Sequence, residues 1–176
     1  MYYDRQVTLD NHPWNFQDGV TKGKIVNFIK QRSRFMVYMR SQLSFIETYG
    51  GILLRPVFTE FPAWTQAESP STVLFGDDVL VLLNFEQDSW TRTLYSFPPE
   101  HDWVDLNTFQ TYKGGVNGPY TIDTTNKVAM FQKSGSIVPL QNVSSVAEVT
   151  QKELILSIAL NNSRATGYIY LEEGPD

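Results

Sequence analysis

Cysteine is absent from the 176-residue sequence. This excludes disulfides, thiolate nucleophiles and cysteine-based zinc sites. Histidine is almost absent, because His12 and His101 are the only two, and they lie too far apart in sequence to form the spacing of a metal-binding pair. We therefore expect neither a metal site nor another cofactor.

Long apolar runs and clusters of basic residues are also missing. No apolar run approaches the roughly 20 residues that a membrane span requires, so we expect no transmembrane segment. The first five residues lack the apolar stretch of a signal peptide, and nothing else in the sequence indicates a compartment. The net charge is −5 and no basic run exceeds a pair, which argues against a nucleic-acid partner.

The composition that remains is that of a packed domain. Hydrophobic residues make up 41% of the chain and charged residues 19%, enough for a core and too apolar for a disordered chain. Aromatic residues reach 14%, which favours strands and sheet faces. The length suits one domain, or one domain with an appendage.

A helix is predicted from residue 20 to residue 49. Apolar residues recur there at three- and four-residue spacing, typical of an amphipathic helix, and Gly50 and Gly51 would end it. The preceding residues, punctuated by Pro13 and Gly19, predict an irregular arm. The apolar stripe of the helix comprises Ile25, Phe28, Ile29, Phe35, Met36, Met39, Leu43 and Ile46.

After Pro62 the pattern becomes that of short strands. Residues 79–83 form a continuous apolar run, which predicts a strand buried on both faces, and residues 91–97 alternate. Residues 113–119 predict a turn-rich loop. Further strands are predicted at residues 128–131, 136–138, 154–160 and 166–171. The fold class is therefore mainly β: an antiparallel β-sandwich preceded by one long amphipathic helix and an irregular N-terminal arm.

Several motifs resemble glycoside hydrolase family 31, the α-glucosidases. Residues 55–62 (RPVFTEFP) and 75–81 (FGDDVLV) resemble the family's junction between its catalytic barrel and a β-sandwich. Residues 32–39 (RSRFMVYM) resemble its arginine-aromatic-arginine helix, although Val37 replaces the usual proline and predicts a straighter helix. The match continues through residues 13–16, Tyr95, Pro98, Trp103, Asp105, Thr108 and residues 135–139 and 166–174.

The resemblance implies a division of the chain and an absence of catalysis. Residues 1–62 would be an arm and helix from the end of a (β/α)8 barrel, and residues 63–176 the β-sandwich domain. The family's nucleophile and acid/base are aspartates on earlier barrel strands, and no position here corresponds to either. Retaining glycosidases need two carboxyl groups about 5–5.5 Å apart. We expect the chain not to be an enzyme by itself.

Five residues are candidates for a local role. Asp77 and Asp78 could bind a cation or act as an acid/base pair, but they predict a structural turn more readily. His12 is either the remnant of a sugar-contacting histidine of the family or, as we favour, an ordinary loop residue. Trp64 and Trp90 lie beside loops, so they are the candidates for exposed aromatic faces that stack on a sugar. Together with His12 they form a weakly supported carbohydrate-binding set. Trp103 matches a core position of the family and predicts packing.

The apolar stripe of the helix leads to the functional hypotheses. In the family, neighbouring elements of the barrel cover this stripe. In this chain the helix must therefore fold onto its own sandwich, pair with itself or bury itself in another chain. We expect another protein chain, and hence a non-catalytic module acting as a protein-interaction or structural subunit of a larger assembly. One alternative is the C-terminal part of a split or truncated α-glucosidase with its catalytic residues on another chain. Another is a carbohydrate-binding module with an α-glucoside ligand.

Overall fold

A computed structural model describes residue 12 and residues 15–85, 89–125, 128–143 and 152–171. Most of the predicted N-terminal arm lies outside these residues, as does the acidic end of the family resemblance at residues 172–174. Within the described part of the chain, no helix is both long enough and apolar enough to cross a membrane.

Two helices replace the single one that the apolar spacing predicted: α1 (Gly19–Arg34) and α2 (Met36–Tyr49). The Asp18 side chain caps α1 by accepting hydrogen bonds from the N–H groups of Val20 and Thr21 at 2.9 and 3.0 Å. The break falls at Phe35, which has φ −92° and ψ 7°, and whose ring is buried. Gly50 ends α2 with φ 83°, as predicted, because glycine adopts this conformation without steric cost.

In the part of the chain that the structure describes, ten strands form three antiparallel groups, which confirms a mainly β fold with helices. The largest is a six-stranded sheet in the order β1-β2-β3-β8-β5-β6, while β4 pairs with β7 and β9 pairs with β10. A short 3-10 helix, Val57–Thr59, follows β1. The strands are β1 (Leu54–Pro56), β2 (Thr72–Phe75), β3 (Val79–Leu82), β4 (Thr91–Ser96), β5 (Trp103–Asp105), β6 (Thr111–Tyr112), β7 (Asn117–Asp123), β8 (Ala129–Lys133), β9 (Ser136–Gln141) and β10 (Leu154–Ala159).

Strand β3 explains how the layers are held together. It lies inside the six-stranded sheet, and successive side chains of a strand point to opposite faces. Leu80 and Leu82 join the core that the sheet shares with β4 and β7, around Trp103. Val79 and Val81 join a second core, which contains Phe35 and Tyr38 from the helical segment and two residues of β9. The predicted burial of this strand on both faces is confirmed.

Two predicted boundaries are wrong. Residues 166–171 are not a strand. Thr166 makes an isolated bridge with Ser136, and residues 167–171 form no strand. The reason is that the N–H of Tyr170 donates to the Ser41 hydroxyl of α2 at 3.0 Å, so this segment bonds to a helix. The turn-rich loop predicted at residues 113–119 is shorter than expected, because β7 already begins at Asn117.

Candidate functional site

A cluster of charged residues lies where α2 meets the six-stranded sheet. The junction cluster consists of Arg55, Glu60, Asp77, Asp78 and Lys133. The Arg55 guanidinium contacts Glu60 Oε2 at 2.6 Å and Asp77 Oδ1 at 2.9 Å. Lys133 Nζ contacts Glu60 Oε1 at 3.1 Å. The cluster therefore joins β1, the segment after it, the β2–β3 turn and β8.

The β2–β3 turn, residues 76–78, is fixed from both sides. The Tyr38 hydroxyl donates to the carbonyl oxygen of Phe75 at 3.0 Å and accepts from the N–H of Asp78 at 3.1 Å. Arg55 donates to the carbonyl oxygen of Gly76 at 2.8 Å. Gly76 has φ +60°, and a Cβ there would lie 2.4 Å from the Tyr38 hydroxyl oxygen. Asp77 and Asp78 thus lie in a turn, as predicted.

Burial and charge shift the pKa values of the cluster in opposite directions. Burial raises the pKa of Asp78 to about 6, with Asp77 and Glu60 adding to the rise and Lys133 opposing it. Burial also acts to raise the pKa of Glu60, but Lys133 and Arg55 outweigh it and the pKa lies below its usual value. The charged form is therefore less favoured at Asp78 than at Glu60.

This arrangement is structural in character. Glu60 and Asp77 are each held by a cation of the cluster. A cavity of about 190 Å³ lies beside Arg55 and Asp77, but Asp78 does not line it. Among the residues that the structure describes, no group of three or more His, Cys, Asp or Glu side chains could hold a metal ion. The cluster therefore holds β1, the β2–β3 turn and β8 together, and Tyr38 of α2 bonds to the same turn.

Two of the predicted aromatic residues are buried. Trp64 is only 6% exposed, and its indole N–H donates to the Ser96 hydroxyl at 2.8 Å. The expectation that Trp64 presents a free face is wrong, because the short turns after Phe61 place its ring in the core beneath β4. Trp103 is fully buried and donates to the carbonyl oxygen of Pro98 at 2.9 Å, which confirms its predicted packing.

Trp90, by contrast, is 48% exposed and lines a cavity of about 300 Å³. The Lys24 ammonium lies 3.4 Å from the centroid of the Trp90 ring, a cation–π contact. Inside the cavity, the Asn84 amide donates to the Ser89 carbonyl oxygen at 2.6 Å and to the Thr124 hydroxyl at 2.9 Å. The lining residues are Phe28, Leu82, Leu83, Asn84, Phe85, Ser89, Trp90, Thr124 and Val128.

His12 lies in a bend before α1, where its carbonyl oxygen accepts a hydrogen bond from the N–H of Asn15 at 2.9 Å. Its sequence neighbours on both sides lie outside the described residues. A role for His12 in binding sugar stays a prediction.

The apolar stripe of the helical segment divides into three groups. Phe35 and Met36 are buried against the chain's own strands, so they are not available as interface residues and that part of the prediction is wrong. Ile29 and Leu43 are 49% and 47% exposed. The others are half-buried: Ile25, Phe28, Met39 and Ile46. Of the three arrangements considered, packing onto the same chain's sandwich accounts for the middle of the stripe.

An exposed apolar row on β10 was missed by the sequence reasoning. Ser157 bonds to Gln132 and Ala159 is buried, so the later part of this side of β10 faces inward, whereas Ile155 on the same side is 45% exposed. The residues on the opposite side are exposed, and no described strand pairs with the outer edge of β10. The available signal was the run from 154 to 160, which is aliphatic at nearly every position. The outer row comprises Leu154, Leu156, Ile158 and Leu160.

Comparison with known proteins identifies the family. The model of the glycosyl hydrolase family 31 C-terminal domain matches residues 50–138, half of the chain. The chain belongs to glycosyl hydrolase family 31. The resemblance carried by residues 55–62 and 75–81 is thereby confirmed. A comparison with curated protein sequences finds no match.

Solved structures of family 31 enzymes share the fold. An α-xylosidase from Xanthomonas citri aligns with a TM-score of 0.73 and 21% identity over 85% of this chain. A dextranase from Flavobacterium johnsoniae, complexed with glucose, gives 0.69 and 22% over 86%. The glucosidase II alpha subunit gives 0.73 and 16% over 97%. These alignments cover 16%, 18% and 18% of the respective enzyme chains, so this chain spans less than a fifth of their length.

Proposed function

We propose that this family 31 domain is a non-catalytic module that acts through protein contacts, as an interaction or structural subunit of a larger assembly. The outer row of β10 carries this proposal. Leu156 and Ile158 are 50% and 56% exposed on a strand whose outer edge has no partner among the described residues. Open strand edges with apolar side chains favour association with another chain.

Residues 168–171 extend the same argument. Tyr168, Ile169, Tyr170 and Leu171 are all exposed, although this segment lies against α2 through the Tyr168–Phe45 ring contact, with centroids 5.7 Å apart. Ile29 and Leu43 add exposed aliphatic side chains on the helices. Single exposed apolar side chains are normal on a protein surface, so the support for a protein partner comes from those that occur together, on β10 and at residues 168–171.

The lack of catalysis is supported by the junction cluster. The carboxylates of Glu60 and Asp77 pair with Arg55, and Glu60 also pairs with Lys133, so both are engaged in ion pairs between segments of the sheet. The matched family model is that of the C-terminal domain, whereas catalytic residues of a (β/α)8 barrel come from the ends of several barrel strands.

A second candidate function is the C-terminal part of an α-glucosidase whose catalytic residues lie on another chain. The observation that favours it is the alignment of 85–97% of this chain with only 16–18% of three family 31 enzyme chains. One of these three chains is itself named as a subunit, the glucosidase II alpha subunit.

Hydrophobic-dye binding and native mass test the leading proposal. We expect the pure chain to bind the dye and to self-associate with rising concentration, because the outer row of β10 is uncovered. The double variant Leu156→Lys with Ile158→Lys should lose most of both signals, since lysines on an edge strand oppose pairing. The control, Lys30→Ala, changes an exposed position of α1 and should behave as the parent chain.

Two results would count against these proposals. A monodisperse monomer without dye binding contradicts the interaction role. Hydrolysis of an α-glucoside by the pure chain contradicts the non-catalytic role. Activity that appears only on mixing with a chain carrying a family 31 barrel would instead establish the second candidate.

A further inference from the structure

We propose that a groove between the helical segment and the sheet binds an acidic segment of a partner protein, which inserts one large apolar side chain. This deepens the proposed interaction role and rests on it, but it assigns the partner to a surface other than β10. The groove lies where the second half of α1 and the start of α2 pass over β2 and β8. Its walls include Phe28, Phe35, Met39, Phe75 and Met130.

The groove contains an apolar cavity of about 170 Å³. Three phenylalanine rings and two methionine side chains line it, and its floor is well packed because Phe35 and Met130 are only 4% and 7% exposed. An apolar protein cavity of about 150 Å³ holds a benzene ring, so this one has room for a single phenylalanine ring or leucine side chain. The flexible methionine side chains can adapt to the shape of the incoming group.

Arg32 provides the charge at the groove. It is the one charged residue in the lining that the structure describes, and it is exposed. Gln31, the other polar residue of that lining, already bonds to the backbone of Val128 through both ends of its amide, each at 2.8 Å. A carboxylate beside the inserted side chain would therefore pair with Arg32, because a guanidinium group can donate two parallel hydrogen bonds to a carboxylate.

The charge of the whole helical segment favours the same kind of partner. Residues 19–46 contain six basic residues, and all 19 acidic residues of the chain lie outside this range. Opposite charges steer and orient association, whereas like charges oppose it. A segment rich in aspartate or glutamate is therefore favoured over a neutral or basic one. The basic residues are Lys22, Lys24, Lys30, Arg32, Arg34 and Arg40.

A protein segment fits this surface better than an anionic membrane does. The cavity is recessed beside the helices, and a single side chain that projects from a partner's helix can enter it, as in helix-in-groove recognition. The chain outside residues 19–46 has more acidic than basic residues, so an anionic lipid surface would repel most of the domain. We therefore assign the groove to a protein.

Two-dimensional NMR of the full chain, titrated with the capped pentapeptide Glu-Glu-Phe-Glu-Glu, tests the proposal. We expect saturable shifts around Phe28, Met39 and Met130, with a dissociation constant between about 0.1 mM and about 1 mM for a single apolar anchor with few charged contacts. The peptide Glu-Glu-Ala-Glu-Glu lacks the anchor, and Lys-Lys-Phe-Lys-Lys reverses the charge. Each of these should bind at least about tenfold more weakly.

A charge reversal in the chain gives the matching test. Arg32→Glu should weaken binding of the acidic peptide by about tenfold or more. The matched control is Lys30→Glu, which makes the same change of charge at an exposed position of α1 that does not line the groove. It should change the dissociation constant by less than about threefold, because solvent and salt screen an exposed charge. Unfolding midpoints verify that both variants are folded.

Three results overturn the groove assignment: no saturable shift up to about 10 mM acidic peptide, equal affinities for the acidic and the basic peptide, or equal effects of the two substitutions. Arg32-dependent binding to phosphatidylglycerol vesicles without binding of the peptide also overturns it, and would assign the surface to a membrane. If the groove assignment fails while the chain still self-associates through β10, the interaction role stands. A monodisperse monomer without dye binding contradicts the role of β10 whatever the peptides do.

Discussion

Replacing Asp78 by asparagine should raise the unfolding free energy at neutral pH and leave it nearly unchanged near pH 4. Burial is the main reason that the pKa of Asp78 rises to about 6 from an ordinary value of 3.8. A pKa that lies about 2 above its ordinary value corresponds to a free-energy penalty of roughly 3 kcal/mol for the charged form in the folded state. Because the side chain is not fully buried, we expect the gain in unfolding free energy to be about 2 kcal/mol.

The pH window follows from the direction of the shift. Below the ordinary pKa, Asp78 is protonated in the folded and the unfolded state, and its burial carries no charge penalty. Between about pH 4 and about pH 6 the unfolded state loses its proton first, so the penalty grows, and above about pH 6 it is complete. Asparagine resembles the protonated form and carries no such penalty. Glu60, with a lowered pKa, acts oppositely: its contribution to stability is lost as the pH falls.

Urea unfolding followed by tryptophan fluorescence, from about pH 4 to about pH 8, measures the effect. The matched control is Asp77→Asn, because the Asp77 side chain is 53% exposed and pairs with Arg55 at 2.9 Å. We expect that change to destabilise by less than about 1 kcal/mol. The reasoning is refuted if Asp78→Asn destabilises the protein at neutral pH, or if its gain is equally large near pH 4.

Three further predictions concern the contact between the helical segment and the sheet, each measured as unfolding free energy in urea. Gly76→Ala should destabilise the protein by more than about 2 kcal/mol, because its Cβ would lie 2.4 Å from the Tyr38 hydroxyl oxygen at a φ of +60°. The control Gly23→Ala, in open space on α1, should stabilise it by about 0.5–1 kcal/mol. Equal effects of the two substitutions would contradict the geometry. Tyr38→Phe should cost about 1–3 kcal/mol, since the carbonyl oxygen of Phe75 loses its donor; a neutral result would show that water replaces the hydroxyl. Phe35→Ala should cost about 3–5 kcal/mol, since its ring packs against β3, and a loss below about 1 kcal/mol would mean that this ring is not part of the core.

The sequence is most informative where a local pattern has one structural solution. The apolar run at residues 79–83 predicts a strand buried on both faces, and β3 is that strand because it lies inside a sheet with a core on each side. Gly50 predicts the end of α2 in the same direct way, since few other residues adopt its positive φ. Motif order at residues 55–62 and 75–81 predicts the family that the domain model confirms.

Features that depend on long-range packing are not predictable in this way. The burial of Trp64 requires Ser96, 32 residues away, as a partner for its indole N–H. The break at Phe35 accompanies the entry of its ring into a core formed by β3, β8 and β9. Burial raises the pKa of Asp78, and Lys133, which opposes the rise, is adjacent only after β8 is paired with β3. The cavity at Trp90 likewise needs residues from α1, β3 and the end of β7 to meet.

The native mass of the endogenous particle that contains this chain, with identification and cross-linking of its components, shows whether the domain works by binding another protein. We predict a particle larger than the 20.2 kDa of the single chain, with cross-links from the partner to lysines flanking β10, such as Lys152. A species of about the single-chain mass would contradict the claim that this family 31 domain works by binding another protein. A partner carrying a family 31 barrel would favour the split enzyme over the structural subunit.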